Sequence, residues 1–240
     1  DSVFIENAVS NGQGGALYIV IGSAIIKNTT FTGNHAIDGG AIYAPNGAGN
    51  ANVTNTTFNR NYATNNGGAI NLEASAVTLN DTHFNYNSAK NGGAIYVGAN
   101  GLTNYVYYST FDGNNATGGK GGAINWLASA GYISYSNITN NYADYGAGVY
   151  LGGDSQNSAI SHVIFDNNEA KFDGGAIDWN ATKGNLTHTI FKNNKAQYGA
   201  ALCREAGATG GYGYNNTFEF NHAYKSGAAL AWMGSRGIND

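Results

Sequence analysis

The stretch "FNYNSAKNGGAIYV", residues 84–97, places an aromatic residue, an asparagine, an alanine and two glycines ahead of an aliphatic residue. The same order recurs at intervals of 26 or 27 residues, in nine copies that fill the 240-residue chain. A fixed period of this length is typical of a solenoid, in which each unit buries its apolar face only by stacking on its neighbours. The sequence therefore predicts a repeat protein.

Two positions of the repeat are almost constant. The aromatic position holds Ile138 in one copy and phenylalanine in the others, namely Phe4, Phe31, Phe58, Phe84, Phe111, Phe165, Phe191 and Phe218. Three residues later every copy has asparagine: Asn7, Asn34, Asn61, Asn87, Asn114, Asn141, Asn168, Asn194 and Asn221. Alanine stands two residues after the asparagine in eight of the nine copies. Such regularity predicts that equivalent residues lie above one another.

The composition selects the type of solenoid. The chain has 36 glycines, one proline and 11% charged residues, and Gly, Asn and Thr are weak helix formers. Short alternating segments such as "GAIYV" are bounded by Gly and Asn, which indicates strands of three to five residues. We predict an all-β, right-handed parallel β-helix of about nine coils, because parallel crossovers are right-handed. Each coil would rise about 4.8 Å.

Each repeated residue has an expected task in this fold. The phenylalanine and aliphatic rows would point inward and form apolar ladders. The asparagine row would lie in a turn, where an amide can satisfy backbone groups and also pair with the amide of the next coil. The glycine pair permits positive φ and a tight corner. Three copies have Gly-Ala instead, which leaves the geometry of their corners open: 146–148, 199–201 and 227–229.

A second regularity predicts a double coil. The distance from the aliphatic residue to the next aromatic position alternates between 14 and 16 residues, so the full unit has 53 or 54 residues. We expect the longer segments to project along one edge. Side chains alternate too, with Trp126, Trp179 and Trp232 in every second coil and Tyr43, Tyr96 and Tyr150 in the coils between. These three tyrosines are predicted to form an outward aromatic surface for sugar rings or protein.

The Phe-x-x-Asn and Gly-Gly-Ala-Ile motifs resemble the polymorphic outer-membrane-protein repeats of bacteria and the adhesin-like surface proteins of methanogenic archaea. The resemblance extends over essentially the whole chain. It implies a right-handed parallel β-helix displayed at a cell surface and involved in attachment. It implies no catalytic residues.

Domain organisation and compartment follow from the same features. Residues 1–240 are predicted to form a single β-helix domain, either an excerpt of a longer chain or one subunit of an end-to-end assembly. Cys203 is the only cysteine, and no apolar run is long enough for a membrane span. A net charge of −4 without a basic cluster argues against nucleic acid or direct membrane insertion. We predict an extracellular, cell-surface location.

Candidate sites are few. No cofactor or metal is expected, because the stacked pair His162 and His188 has no third ligand. Acid–base catalysis needs clustered carboxylates, and no row places two in neighbouring coils, so the chain is predicted not to be an enzyme. Nine Asn-x-Ser/Thr sequons occur, and five lie at outward or loop positions where glycosylation is predicted: Asn52, Asn80, Asn115, Asn180 and Asn185.

The predicted function is attachment. We expect a non-enzymatic, adhesin-like β-helix whose loops or aromatic face bind a cell-surface glycan or protein. One alternative is a structural subunit of an extracellular filament or sheath, in which copies stack end to end. Another is a β-helix enzyme acting on polysaccharides.

Overall fold

A computed structural model describes residues 1–20, 22–128, 130–181, 183–206, 208 and 210–233. All regular secondary structure in these residues is β-strand. The strands are β1 (Ser2–Ile5), β2 (Leu17–Tyr18), β3 (Ala24–Lys27), β4 (Thr29–Thr32), β5 (His35–Asp38), β6 (Ile42–Ala44), β7 (Ala51–Asn59), β8 (Tyr62–Asn66), β9 (Ile70–Leu72), β10 (Val77–Asn85), β11 (Ile95–Val97), β12 (Asn104–Tyr107), β13 (Thr110–Asp112), β14 (Asn115–Lys120), β15 (Ile124–Trp126) and β16 (Gly131–Ser134). They continue as β17 (Asn137–Thr139), β18 (Tyr142–Tyr145), β19 (Val149–Leu151), β20 (Ala159–Ser161), β21 (Ile164–Asp166), β22 (Glu169–Asp173), β23 (Ile177–Trp179), β24 (Asn185–Thr187), β25 (Ile190–Lys192), β26 (Lys195–Tyr198), β27 (Leu202–Arg204), β28 (Tyr212–Tyr214), β29 (Thr217–Glu219), β30 (His222–Ser226) and β31 (Leu230–Trp232).

The strands stack into long parallel sheets, which confirms the parallel β-helix. One sheet has nine strands, in the order β2-β6-β9-β11-β15-β19-β23-β27-β31. Nine stacked strands are joined by eight steps, so the described part makes about eight turns, close to the nine coils predicted. A 15-stranded sheet holds the segments around the phenylalanine row, and a five-stranded sheet, β14-β18-β22-β26-β30, lies beyond the asparagine turn. Strands β5 and β8 form a pair of their own.

The phenylalanine row lies in the apolar core with its rings parallel. Cα partners include Phe58 with Phe84 and Phe84 with Phe111. Neighbouring ring centroids are 4.7 to 5.2 Å apart and their planes differ by 3 to 6°. Ile138 pairs with Phe111 and Phe165 and so divides the row into two ring stacks. The spacing follows the strand separation, because each ring belongs to a different coil.

The asparagine row forms a continuous amide ladder inside the turn. Asn114 is typical: its Oδ1 accepts hydrogen bonds from the backbone N–H and Nδ2 of Asn87, both at 3.0 Å. Its Nδ2 donates to Asn141 Oδ1 and to the carbonyl of Phe84, again at 3.0 Å. The same pattern joins Asn7 through Asn221. Each amide thereby forms hydrogen bonds with backbone N–H and carbonyl groups of the buried turn that have no partner in the β-sheet.

Two corners of each coil are made by residues in the left-handed region. One lies three residues before the phenylalanine position, as at Asp81 with φ 53°, and the other two residues after it, as at Tyr86 with φ 54°. A third corner uses the first glycine of each pair, whose φ is 65° at Gly174 and 59° at Gly146. The Gly-Ala copies retain that first glycine, so their corners turn in the same way. Nothing in the structure explains why alanine replaces the second glycine there.

Tryptophan determines the double coil. The indoles of Trp126 and Trp179 lie in the core, and Gly131 and Gly184 lie beneath them, where an added Cβ would be 2.4 to 2.5 Å from the indole ring. The alternate coils carry the longer segments. These segments do not simply project, as was predicted, because each folds one small residue into the interior: Ala48, Gly101, Ser155 and Ala208.

Candidate functional site

The predicted tyrosine platform is largely covered. Tyr150 is only 5% exposed, and Tyr43 and Tyr96 are half-buried, so the expectation of an open aromatic face at these positions is wrong. Their strands do turn these side chains away from the apolar core. The glycine corner, however, brings the end of β14, in the five-stranded sheet, over Tyr150. Lys120 at the end of β14 donates to the Tyr150 hydroxyl at 2.8 Å, with its Nζ 4.2 Å from the ring centre.

Polar residues alternate with tyrosine in this row. Strand pairing places Asn125 between Tyr96 and Tyr150, and Asp178 between Tyr150 and Cys203. Asn125 and Asp178 are both buried, and the Oδ1 atom of each has no hydrogen-bond partner among the described residues. The row therefore forms a polar corner outside the apolar core.

Three carboxyl groups lie at this corner. Sequence analysis did not predict that they would be close to one another. Asp173 ends β22, Asp178 lies in β23, and Glu205 follows β27. Burial raises the pKa of Asp178 well above its usual value, and the charges of Glu205 and Asp173 add to this, while Lys120 opposes it. Burial and Glu205 likewise raise the pKa of Asp173, against Lys225. The groups come from different rows, whereas the sequence search considered carboxylates in one row only.

The chemistry available to this corner is limited. Within the described part of the chain, no group of three or more His, Cys, Asp or Glu side chains could hold a metal ion. Burial and the neighbouring carboxyls raise the pKa of Cys203, whose Sγ donates to Glu205 Oε1 at 3.6 Å. A thiol that stays protonated is a poor nucleophile. The Cys203 thiol is thus suited to packing rather than to nucleophilic attack.

A similar corner lies earlier in the chain. Burial raises the pKa of Tyr43 to about 12, with Glu73, Tyr18 and Asp38 adding to the effect. It also raises the pKa of Glu73 and of Asp38, each partly offset by a hydrogen bond to an asparagine. Both corners therefore hold protonated or neutral groups more readily than charged ones.

The exposed aromatic surface lies on the 15-stranded sheet instead. Five tyrosines from two adjacent coils form it, and we call it the tyrosine patch: Tyr105, Tyr107, Tyr108, Tyr132 and Tyr135. Tyr108 and Tyr135 are 60% and 52% exposed. Sequence analysis assigned these five tyrosines no binding role.

The patch presents ring edges to solvent. The rings of Tyr108 and Tyr135 stack at 5.2 Å with planes 15° apart, and Tyr105 and Tyr132 stack at 5.2 Å with planes 12° apart. Because each of these four rings has at least one face covered by its partner, ring edges and phenol hydroxyls form much of the exposed rim. Such a surface combines apolar area with hydrogen-bonding groups, as tyrosine-rich protein interfaces do.

His162 and His188 continue the stack formed by Tyr108 and Tyr135. Their geometry does not suit metal binding. His162 stacks on Tyr135 at 4.8 Å and on His188 at 4.7 Å, with only 5° between the imidazole planes. Imidazole binds metal through lone pairs in the ring plane. In two parallel stacked rings those lone pairs do not converge on one ion.

The predicted glycosylation sites differ in their surroundings. Asn52, Asn115 and Asn185 are exposed, and Asn80 and Asn180 are partly exposed. Threonine hydroxyls donate to the Oδ1 atoms of Asn52 and Asn115, at 3.2 and 2.6 Å. Asn28 and Asn55 begin two other sequons, and Asn55 Nδ2 donates to Asn28 Oδ1 at 2.9 Å. The glycosylation state stays a prediction.

Two cavities lie away from these surfaces. One of about 330 Å³ lies inside the last described coil, between Trp179, Arg204 and Trp232, and borders the point where the described residues end. We assign it no ligand. The other, of about 230 Å³, is a groove on the outside of the coil, beside Tyr62 and Asn115.

A parallel β-solenoid with a periodic exterior and a tyrosine patch defines a class of repeat protein that presents one long surface. Three segments, residues 28–45, 55–73 and 81–98, match the model of the Chlamydia polymorphic membrane protein repeat. The chain thus carries repeats of the polymorphic membrane protein type. Each match runs from a left-handed corner, through the asparagine turn, to the strand after the glycine pair.

Comparison with curated proteins and with solved structures gave no match. Among the described residues, no helix is long and apolar enough to cross a membrane. The repeat match favours a surface-exposed, adhesin-like protein and a cell-surface location in general.

Proposed function

We propose that this β-helix mediates attachment at the cell surface, and that the tyrosine patch contacts the partner. The observation that carries the proposal is the clustering of Tyr105, Tyr107, Tyr108, Tyr132 and Tyr135 on one outward face. Tyr108 and Tyr135 remain largely exposed, and the rings of Tyr108 and Tyr135, like those of Tyr105 and Tyr132, stack in pairs across the two coils.

A protein surface suits this patch better than the face of a sugar ring. Stacking on a sugar needs an open aromatic face, and each of the four stacked tyrosines has at least one face covered by the ring in the adjacent coil. Their exposed edges and hydroxyls instead suit backbone and polar side chains of a protein partner. The patch carries no charged side chain, which agrees with the depletion of charge at the centre of protein interfaces.

Binding of the purified segment to cells tests the proposal. Replacing Tyr105, Tyr132 and Tyr135 by alanine is expected to reduce binding by about tenfold or more, because aromatic anchors dominate interface energies. A matched control replaces Tyr86 and Tyr224, which are exposed but lie on other rows. Equal binding by the patch variant and the control would refute the patch. Continuous fibres in electron microscopy, without cell binding, would favour the filament instead.

A further inference from the structure

The groove beside Tyr62 is bordered by an open aromatic face. Strand pairing places His35, Tyr62, Ser88, Asn115 and Tyr142 in one outward row. His35 covers one face of the Tyr62 ring, with centroids 4.9 Å apart. The next residue is the short Ser88, so the aromatic ladder stops there. No ring or cation among the described residues covers the other face of Tyr62, which is 45% exposed.

Polar groups surround this open face. The groove of about 230 Å³ is lined by Tyr62, Thr64, Ser88, Lys90, Asn115 and Thr117, together with two alanines. Lys90 is exposed and forms no ion pair with another described residue. Thr117 donates to Asn115 Oδ1, and no described residue bonds Asn115 Nδ2. Hydrogen-bond donors and acceptors therefore surround the apolar face of the Tyr62 ring.

We propose that the groove is a binding site for one pyranose ring. A pyranose has an apolar face of C–H groups and a rim of hydroxyls, which matches an open tyrosine face bordered by threonine, amide and ammonium groups. The volume is below the range of about 300–1,000 Å³ typical of larger ligands, and it suits a single sugar.

Two sources could supply this sugar. Asn115 begins the sequon Asn115-Ala116-Thr117 and lines the groove, so a glycan attached to Asn115 would lie beside Tyr62. The terminal sugar of a separate glycan presents the same chemistry. The sugar ring, its hydroxyl groups and the groove are the same in both cases. The tests below distinguish the two sources.

The first test uses unglycosylated protein and the methyl glycosides of N-acetylglucosamine, glucose and mannose, followed by NMR chemical-shift changes. At least one sugar is expected to shift the signals of Tyr62, Ser88 and Asn115. Tyr62→Ala should weaken that binding by about tenfold, and Tyr62→Phe should retain it, because the ring face is what stacks.

Ser88→Tyr provides the sharper variant. Tyrosine at this position would continue the ladder over Tyr62, so the protein should remain folded while sugar binding is lost. Tyr142→Ala is the matched control, because Tyr142 belongs to the same row but does not line the groove. If no sugar shifts these signals, or Ser88→Tyr binds as the unaltered protein does, the proposal is wrong.

The second test uses protein from a glycosylating host. If the sugar on Asn115 occupies the groove, the Tyr62 signals shift in the glycosylated protein and added methyl glycoside no longer binds, while the unglycosylated protein binds it. If the site serves separate glycans, added methyl glycoside binds whether or not Asn115 is modified. Both results uphold the pyranose site. An attached glycan that leaves Tyr62 unchanged, together with no binding of added sugar to the unglycosylated protein, would overturn it.

Discussion

Asp178 places a carboxyl group at a position where equivalent coils have the amide of an asparagine. Equivalent positions two and four coils earlier hold Asn125 and Asn71, both buried as Asp178 is. An amide is neutral at every pH, whereas a carboxyl must remain protonated to avoid an uncompensated buried charge. Asp178 is 1% exposed, and its pKa is raised chiefly by that burial.

The consequence is a stability that falls as pH rises. Below the ordinary aspartate pKa of 3.8, Asp178 is protonated in both the folded and the unfolded chain. Above this pH, Asp178 ionises first in the unfolded chain. The free energy of unfolding then declines by up to about 1.4 kcal/mol per pH unit until the pH reaches the raised pKa of Asp178 in the folded chain. Asp178→Asn should therefore match the unaltered protein near pH 3 and exceed its Tm at neutral pH.

Thermal unfolding of both proteins across this pH range is the measurement. Asp38 and Glu73, whose pKa values are also raised, contribute equally to the two curves and cancel in the difference, whereas the coupling of Asp173 to Asp178 is part of that difference. A difference in Tm that does not change with pH would show that Asp178 is not protonated in the folded state.

At the scale of the element, the glycine pair has two distinct requirements. The first glycine adopts positive φ, and at Gly174 an added Cβ would also lie 2.4 Å from the carbonyl oxygen of Ile177. The second glycine does not adopt positive φ, and its position requires only a small side chain. Alanine occupies this position at Ala147 and Ala200. The sequence pattern alone treats both glycines as one motif.

Gly174→Ala is therefore expected to destabilise the protein by about 1–3 kcal/mol or more, from the strained backbone and the overlap together. Gly153→Ala is the matched control, because nothing lies within 4 Å of its added Cβ. Denaturant unfolding measures both. A loss at Gly174 no larger than at Gly153 would contradict the role given to the corner.

At the scale of the whole molecule, each coil contacts only its neighbours, and a solenoid of this kind responds locally to damage. Phe111→Ala removes a fully buried ring at the end of the first ring stack. We expect a loss of about 3–5 kcal/mol, as for other buried phenylalanines. Amide exchange should accelerate most in the coils that hold Phe84, Phe111 and Ile138.

Phe220→Ala is the control for that experiment, because Phe220 is exposed and leaves the core unchanged. Hydrogen exchange followed by mass spectrometry resolves the coils. Equal acceleration in every coil would show instead that the solenoid opens as one cooperative unit.

The sequence by itself determined the fold, the register and the inward rows. Period, phenylalanine position and asparagine position are local properties, and stacking in register transmits them unchanged from coil to coil. The same periodicity predicted which side chains turn outward, including Tyr150.

Only the tertiary structure decided which outward side chains are exposed. Tyr150 is covered because the glycine corner brings Lys120 over it, and three carboxyls meet because that corner joins different rows. Tyr62 has an open face because its neighbour in the next coil is serine. Exposure depends on which side chains lie across a corner or in the adjacent coil, and those side chains differ from copy to copy outside the repeat motif.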